Sequence, residues 1–201
     1  MARTRKSQHR QERPLVLIFS DGETEINYFR MKRSDPGRNK NIRIETRFLN
    51  QKKAEDLVKS AKRYISSKCG HLRKGDHLYF VLDMDAADDE DISRTKRSMP
   101  EYMHLIISNP DIEYWFLLHY RYYDQKMANR EAISILNDYE PDYSKPDVDG
   151  IYDSLKAGEE TAIVNARKVR DYQISNGRDP YSKSANPCTN VDELISQINS
   201  V

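Results

Sequence analysis

The chain has 201 residues, and 33 Lys and Arg nearly balance 32 Asp and Glu, for a net charge of +1. Bulk charge therefore excludes a generally basic nucleic-acid binder, so any basic patch has to be local. The length suits one large domain, or a domain with an appended helical part. No apolar stretch approaches the roughly 20 residues needed to cross a bilayer.

The first segment, Ala2 to Arg13, carries Arg3, Arg5, Lys6, Arg10 and Arg13 against a single Glu12. It lacks an apolar core, so it reads neither as a signal peptide nor as a membrane span. It reads as a flexible basic tail (1–13), with a phosphate-contacting arm as the other reading. Only Cys69 and Cys188 occur, with no Cys-x-x-Cys pair. That argues against structural zinc and points to a reducing cytoplasm.

Leu15 to Ser20 is a continuous apolar run, expected to be a strand buried on both faces. Asp21-Gly22 breaks it, and Glu23 and Glu25 follow. A helix is expected over Thr24–Lys32, with Thr24 as its cap. Ser34 to Asn41 is a loop. Residues 41–50 alternate, with Ile42, Ile44, Thr46 and Phe48 opposite Arg43, Glu45 and Arg47, and so predict a second strand nearer a sheet edge. Lys53–Ser67 has helical spacing. The third strand, 78–83, runs into Asp83-Met84-Asp85.

A polar stretch and a short helix separate this from a fourth strand, Met103–Ser108. Asn109-Pro110 stops it. Asp111–Tyr123 is apolar nearly all round, as a buried helix is. Alternating strands and helices imply a mostly parallel, four-stranded α/β sheet covered on both faces, over residues 14–125. From 126 to 201 the pattern predicts a helical extension packed on that core. Its helices fall at 131–139, 151–155, 160–174 and 191–198, the last capped by Thr189 or Asn190.

Asp21 and Glu25 stand four apart across a turn into a helix, and Asp83 and Asp85 two apart at a strand end. Ligands of open α/β sheets bind outside the carboxyl ends of the strands. Four carboxylates gathered there repel one another, and a hard divalent cation relieves the repulsion. Plain loop-capping acids are the alternative. Glu113 either completes such a shell or satisfies the helix N-terminus. Ser108 and Asn109 either orient a ligand or cap that helix. Lys145 is a candidate for phosphate charge or an ordinary surface lysine. His119 and Trp115 read as core. Tyr120, Tyr122 and Tyr123 around Arg121 suit base stacking or helix packing.

The strand–acid-Gly-x-Thr-Glu and strand–Asp-x-Asp elements resemble the Toprim fold of topoisomerases, primases and related nucleases. The details resemble the RloB family more closely. They are Asp-Gly-Glu-Thr-Glu-Ile-Asn-Tyr-Phe at 21–29, Leu-Asp-Met-Asp at 82–85 and Ile-Ser-Asn-Pro-Asp-Ile-Glu-Tyr-Trp-Phe-Leu-Leu-His at 107–119. Ala162-x-x-Asn165-Ala166 and Asn186-Pro-x-Thr189-x-Val191 complete the likeness. The resemblance implies a nuclease using Mg²⁺ or Mn²⁺, held by Asp21, Glu25, Asp83 and Asp85, with metal-activated water as the attacking group. It also implies bacterial anti-phage defence, DNA or RNA as partner, and a neighbouring ATPase. The family's first acid is Glu, where this chain has Asp21; Glu23 falls on the variable position of the motif. Two other readings share these acids: a catalytically weak module that regulates a defence complex, and a primase-type nucleotidyl transferase.

Overall fold

The computed structural model describes residues 13–85 and 87–200; the basic segment before Arg13 lies outside them. Five strands form one sheet in the order β2-β1-β3-β4-β5. They are β1 (Leu15–Ser20), β2 (Arg43–Phe48), β3 (His77–Asp83), β4 (Met103–Asn109) and β5 (Cys188–Thr189). The first four are parallel, and β5 pairs antiparallel with β4, Ser108 opposite Thr189. The sequence predicts four strands, and the fifth is a correction. Two residues are too few to show periodicity, and side chains rather than alternation hold them. Asn190 Oδ1 accepts from Ile107 N at 2.7 Å and its Nδ2 donates to Leu105 O at 3.1 Å.

Strand alternation sorts the core into two layers. Val16, Ile18, Tyr79, Val81 and Ile106 face one side, and Leu15, Leu17, Phe19, Leu78, Phe80 and Leu82 the other. On the first side lie α1 (Glu23–Ser34) and α4 (Ile112–Leu117). With them pack α5 (Asn129–Leu136), α6 (Tyr152–Ala157), α7 (Glu159–Ser175) and α8 (Val191–Asn199). On the second lie α2 (Ala54–Tyr64), which runs on into a π-helical turn at Ile65–Cys69, and α3 (Asp89–Ser98). Residues from 127 to 198 share one apolar layer with β1, β3 and β4, so the expected extension is built into the core.

Two local expectations are also corrected. Gly22, not Thr24, is the N-cap of α1, and Thr24 is buried in its first turn. The buried helix α4 ends at Leu117, not near 123. Beyond it the chain folds back, and Tyr114 donates its hydroxyl hydrogen to Tyr123 O at 2.7 Å. Gly158 packs so close to this turn that a Cβ there would lie 2.7 Å from His119 O. His119 and Trp115 are buried as expected: His119 Nδ1 lies 2.9 Å from Trp115 O, and Trp115 Nε1 donates to Tyr28 Oη at 3.1 Å. Among the described residues no helix is long and apolar enough to cross a membrane.

Candidate active site

Strand order places the site. The connection from β1 leads to β2 on one side, while β3 and β4 lie on the other, so the order reverses between β1 and β3. Ligand crevices of open α/β sheets form beyond the strand carboxyl ends at such a reversal. Asp21 follows β1, Asp83 ends β3, and Asp111 and Glu113 follow β4 into α4.

Glu25 is buried in the first turn of α1. Its carboxyl folds back over Gly22, where a Cβ would stand 2.0 Å from Glu25 Oε2. Burial pushes the Glu25 carboxyl up to about 7; Asp21 and Glu113 add to the rise, while its own backbone amide and Lys145 oppose it. Asp83 is only partly buried as a residue, but its Oδ1 is shut from solvent without a hydrogen-bond partner. Burial raises the Asp83 carboxyl well above the usual carboxylate range, and Glu25, Asp111 and Glu113 add to it. Asp111 is fully buried, its Oδ1 also unpartnered, and burial together with Glu113 pushes it up to about 8. These shifts have one cause: like charges share a poorly hydrated place.

Glu113 is fully buried and doubly held. Tyr143 donates its hydroxyl hydrogen to Glu113 Oε1 at 2.6 Å, and Lys145 Nζ lies 2.7 Å from Oε2. Lys145 also reaches Asp111 Oδ2 at 3.2 Å. Burial works against the Lys145 charge, but Glu113 and Asp111 outweigh it and hold the ammonium protonated. The segment bearing Lys145 is fixed by buried Tyr143 and Val148, and by Asn27 Nδ2 donating to Pro146 O at 2.9 Å. A residue well beyond 125 thus enters the site.

Glu25, Asp83, Glu113 and Lys145 come together, with Asp111 as a member that sequence reasoning missed. Its signal was present, since Asp111 opens a buried helix directly after Asn109-Pro110, as Glu113 does two residues later. Tyr143 was missed too, because a loop tyrosine carries no spacing signal. Asp21 stands at the rim, half-buried, with Lys52 Nζ 3.7 Å from its Oδ2. Burial raises its carboxyl, Lys52 opposes this, and Asp85 adds to it. Asp85 is exposed and accepts from Asn129 Nδ2 at 2.7 Å. Glu23 is exposed.

Ser108 and Asn109 point elsewhere. The Ser108 hydroxyl lies 3.0 Å from Thr189 Oγ1, and Asn109 Nδ2 donates to the carbonyls of Ser182 and Ala185 at 3.2 and 3.0 Å. Ser108 ties β4 to β5, and Asn109 ties it to the segment before β5. The Arg121 guanidinium lies 5.3 Å from the Tyr123 ring, and the Tyr120 hydroxyl donates to Glu140 at 2.5 Å.

Among the described residues, no three His, Cys, Asp or Glu side chains are set to close around an ion. The donor set nevertheless suits a hard cation: carboxylate oxygens only, two of them buried and unpartnered, on groups that hold protons an ion would displace. To hold one, Glu25, Asp83 and Asp111 would have to draw closer together than they stand, with Asp21 at the rim.

Fold and site together define a mostly parallel α/β protein with a buried acid cluster at the strand-order reversal. The family model of RloB-like proteins matches residues 16–198, and the chain belongs to that family. No curated protein and no solved structure gives a match.

Proposed function

We propose that the chain is a Toprim-like, Mg²⁺- or Mn²⁺-dependent nuclease that hydrolyses DNA or RNA phosphodiesters. Its setting would be a bacterial anti-phage defence system with an ATPase neighbour. The observation that carries the reading is the set of carboxyls on Glu25, Asp83 and Asp111, all raised above the ordinary carboxylate range by burial and by one another's company, at the carboxyl end of the parallel strands. A divalent ion bound there would activate water and stabilise the departing oxygen. The protein's own groups then have distinct work. Glu25, poised near 7, can take a proton from water at working pH. Lys145 holds a fixed positive charge where a phosphate would gather negative charge. Tyr143 orients Glu113, and Glu113 positions Lys145.

One observation supports the regulatory-module reading instead. Lys145 already pairs with Glu113 at 2.7 Å and reaches Asp111 at 3.2 Å, so part of the cluster has a counter-charge without any ion. The test is cleavage of plasmid and single-stranded substrates with Mn²⁺, by wild type, Asp83→Asn and Glu25→Gln. The nuclease reading expects loss of cleavage in both variants with the fold intact. It fails if wild type cuts nothing with any divalent ion, alone or with the ATPase neighbour.

A further inference from the structure

The opposite end of the sheet carries the opposite charge. A cavity of about 430 Å³ opens beside the start of β2 and the π-helical turn after α2. Arg13, Arg43, Arg47, Lys68 and Arg73 line it. The two acids on its wall, Glu45 and Asp76, are already engaged. Glu45 lies 3.4 Å from Arg43 and 2.9 Å from Arg47. Asp76 accepts from the backbone amides of Leu15 and Arg73, both at 2.8 Å. Among the described residues of this wall five cations stand against two acids, in a chain whose total is +1. Lys68 and Arg43 are exposed at the mouth.

Arg43 and Arg47, both in the cavity wall, flank Glu45 on one face of the edge strand β2, and beyond the strand's end Lys52 reaches Asp21 at the rim of the acid cluster. Six strand residues at about 3.3 Å each make this a run of about 20 Å. The chain also enters β1 through this wall, which Arg13 lines. A small anion would need the cavity alone. A cationic cavity at one end of β2, with Lys52 beyond the other end beside a phosphodiester-type site, fits a polyanion whose charges span the strand.

We infer that the cavity walled by Arg43, Lys68 and Arg73 binds the phosphate backbone of a nucleic-acid strand, which then runs along β2 to the acid cluster. The inference rests on the reading of that cluster as a phosphodiester site, and it can be tested apart from cleavage. Binding of labelled 20-nucleotide DNA and RNA strands is measured in EDTA, across a salt series. The proteins are wild type, Arg43→Glu/Lys68→Glu and a control, Arg97→Glu/Lys168→Glu, in which exposed cations elsewhere are reversed. The cavity variant should bind more weakly, and its log–log salt slope should fall by about 1.4, at about 0.7 per lost phosphate contact; the control should keep the wild-type slope. Equal slopes in all three overturn the inference. So does a phosphate-induced rise in melting temperature that only the cavity variant loses while its oligonucleotide affinity stays at the wild-type value, which marks a small-anion site. Cleavage of a p-nitrophenyl nucleotide ester with Mn²⁺ is assayed in parallel. Retained cleavage with unchanged strand binding sinks this inference and leaves the nuclease reading standing. Lost strand binding in a chain that never cleaves sinks the nuclease reading and leaves the cavity.

Discussion

Glu25 and Gly22 are in such close contact that only a residue without a Cβ fits beneath the carboxylate: the added atom would lie 2.0 Å from Oε2. Gly22 has an extended backbone, φ −105°, that alanine adopts freely. Gly22→Ala therefore relieves its clash by pushing the flexible Glu25 carboxyl out of place. Folding stability should change by less than about 1 kcal/mol, because the lost glycine freedom and the N-cap exchange roughly offset. The rise in melting temperature with Mn²⁺, and Mn²⁺-dependent cleavage, should fall as far as in Glu25→Gln. A variant that keeps both at wild-type level shows that the Glu25 position is not needed.

Asp83 gives a prediction of opposite sign for stability. Its carboxyl is pushed well above its ordinary range by burial and by Glu25, Asp111 and Glu113, so the ion-free protein prefers it uncharged. Asp83→Asn keeps the shape and removes the repulsion. Urea unfolding at pH 8 in EDTA should show no loss, or a gain of about 1 kcal/mol. With Mn²⁺ present, the wild type should overtake the variant. A loss of stability in EDTA would mean that the Asp83 charge is favourably paired.

The pH dependence follows from the same groups. Glu25 rises from 4.5 to about 7, and Asp111 from 3.8 to about 8, when the chain folds. Between these limits the folded state binds more protons than the unfolded one, so stability falls as pH rises through about 4 to 8. Stability supplied by a bound divalent ion runs the other way, because the ion must displace those protons. The Mn²⁺-induced rise in melting temperature should therefore grow from pH 5.5 to pH 8. A shift that is flat across this range, or shrinks, places the ion elsewhere.

Asn190 shows what the sequence hides. It was legible only as a helix cap, yet no side-chain capping bond forms. Its amide instead serves as a strand partner, accepting from Ile107 N and donating to Leu105 O and to Tyr181 Oη at 2.9 Å. Asn190→Ala leaves buried backbone groups of β4 unpaired, and should cost about 2–3 kcal/mol in chemical denaturation. A cost below about 1 kcal/mol would show that water replaces it.

Short-range pattern explains both what was legible and what was not. The four parallel strands were readable because apolar runs such as Leu15–Ser20 and Leu78–Leu82 end in turn or acid signals, and the strand ends fixed where Asp21, Glu25 and Asp83 would lie. Contacts between distant segments were not readable. Ser108 faces Thr189, 81 residues away, and Lys145 enters from a loop with no periodicity. Asp85 shares the Asp-x-Asp motif with Asp83, but the strand ends at Asp83, so the alternation that would align the two does not continue.

Lys145 supplies the last prediction. Its ammonium stands 2.7 Å from Glu113 and 3.2 Å from Asp111, and within that cluster it is the cation opposing Glu25, Asp83 and Asp111 alike. Lys145→Met keeps the stem and removes the charge. The carboxyls then face one another without a counter-charge, and their proton affinities rise further. Removing one partner of a buried pair costs about 3–5 kcal/mol, but Lys145 is 38% exposed and water screens part of the effect. A loss of about 1–2 kcal/mol near pH 7 is expected, with a steeper decline above it than in wild type. A divalent ion can supply the missing charge, so Mn²⁺ should restore more stability to Lys145→Met than it adds to wild type. Cleavage separates the two roles of the residue. If Lys145 serves only as resident counter-ion, the variant with Mn²⁺ cleaves at the wild-type rate; if it also meets the phosphate, stability returns with Mn²⁺ and cleavage does not. A variant as stable as wild type in EDTA at pH 8 would show that Lys145 does not hold the cluster together.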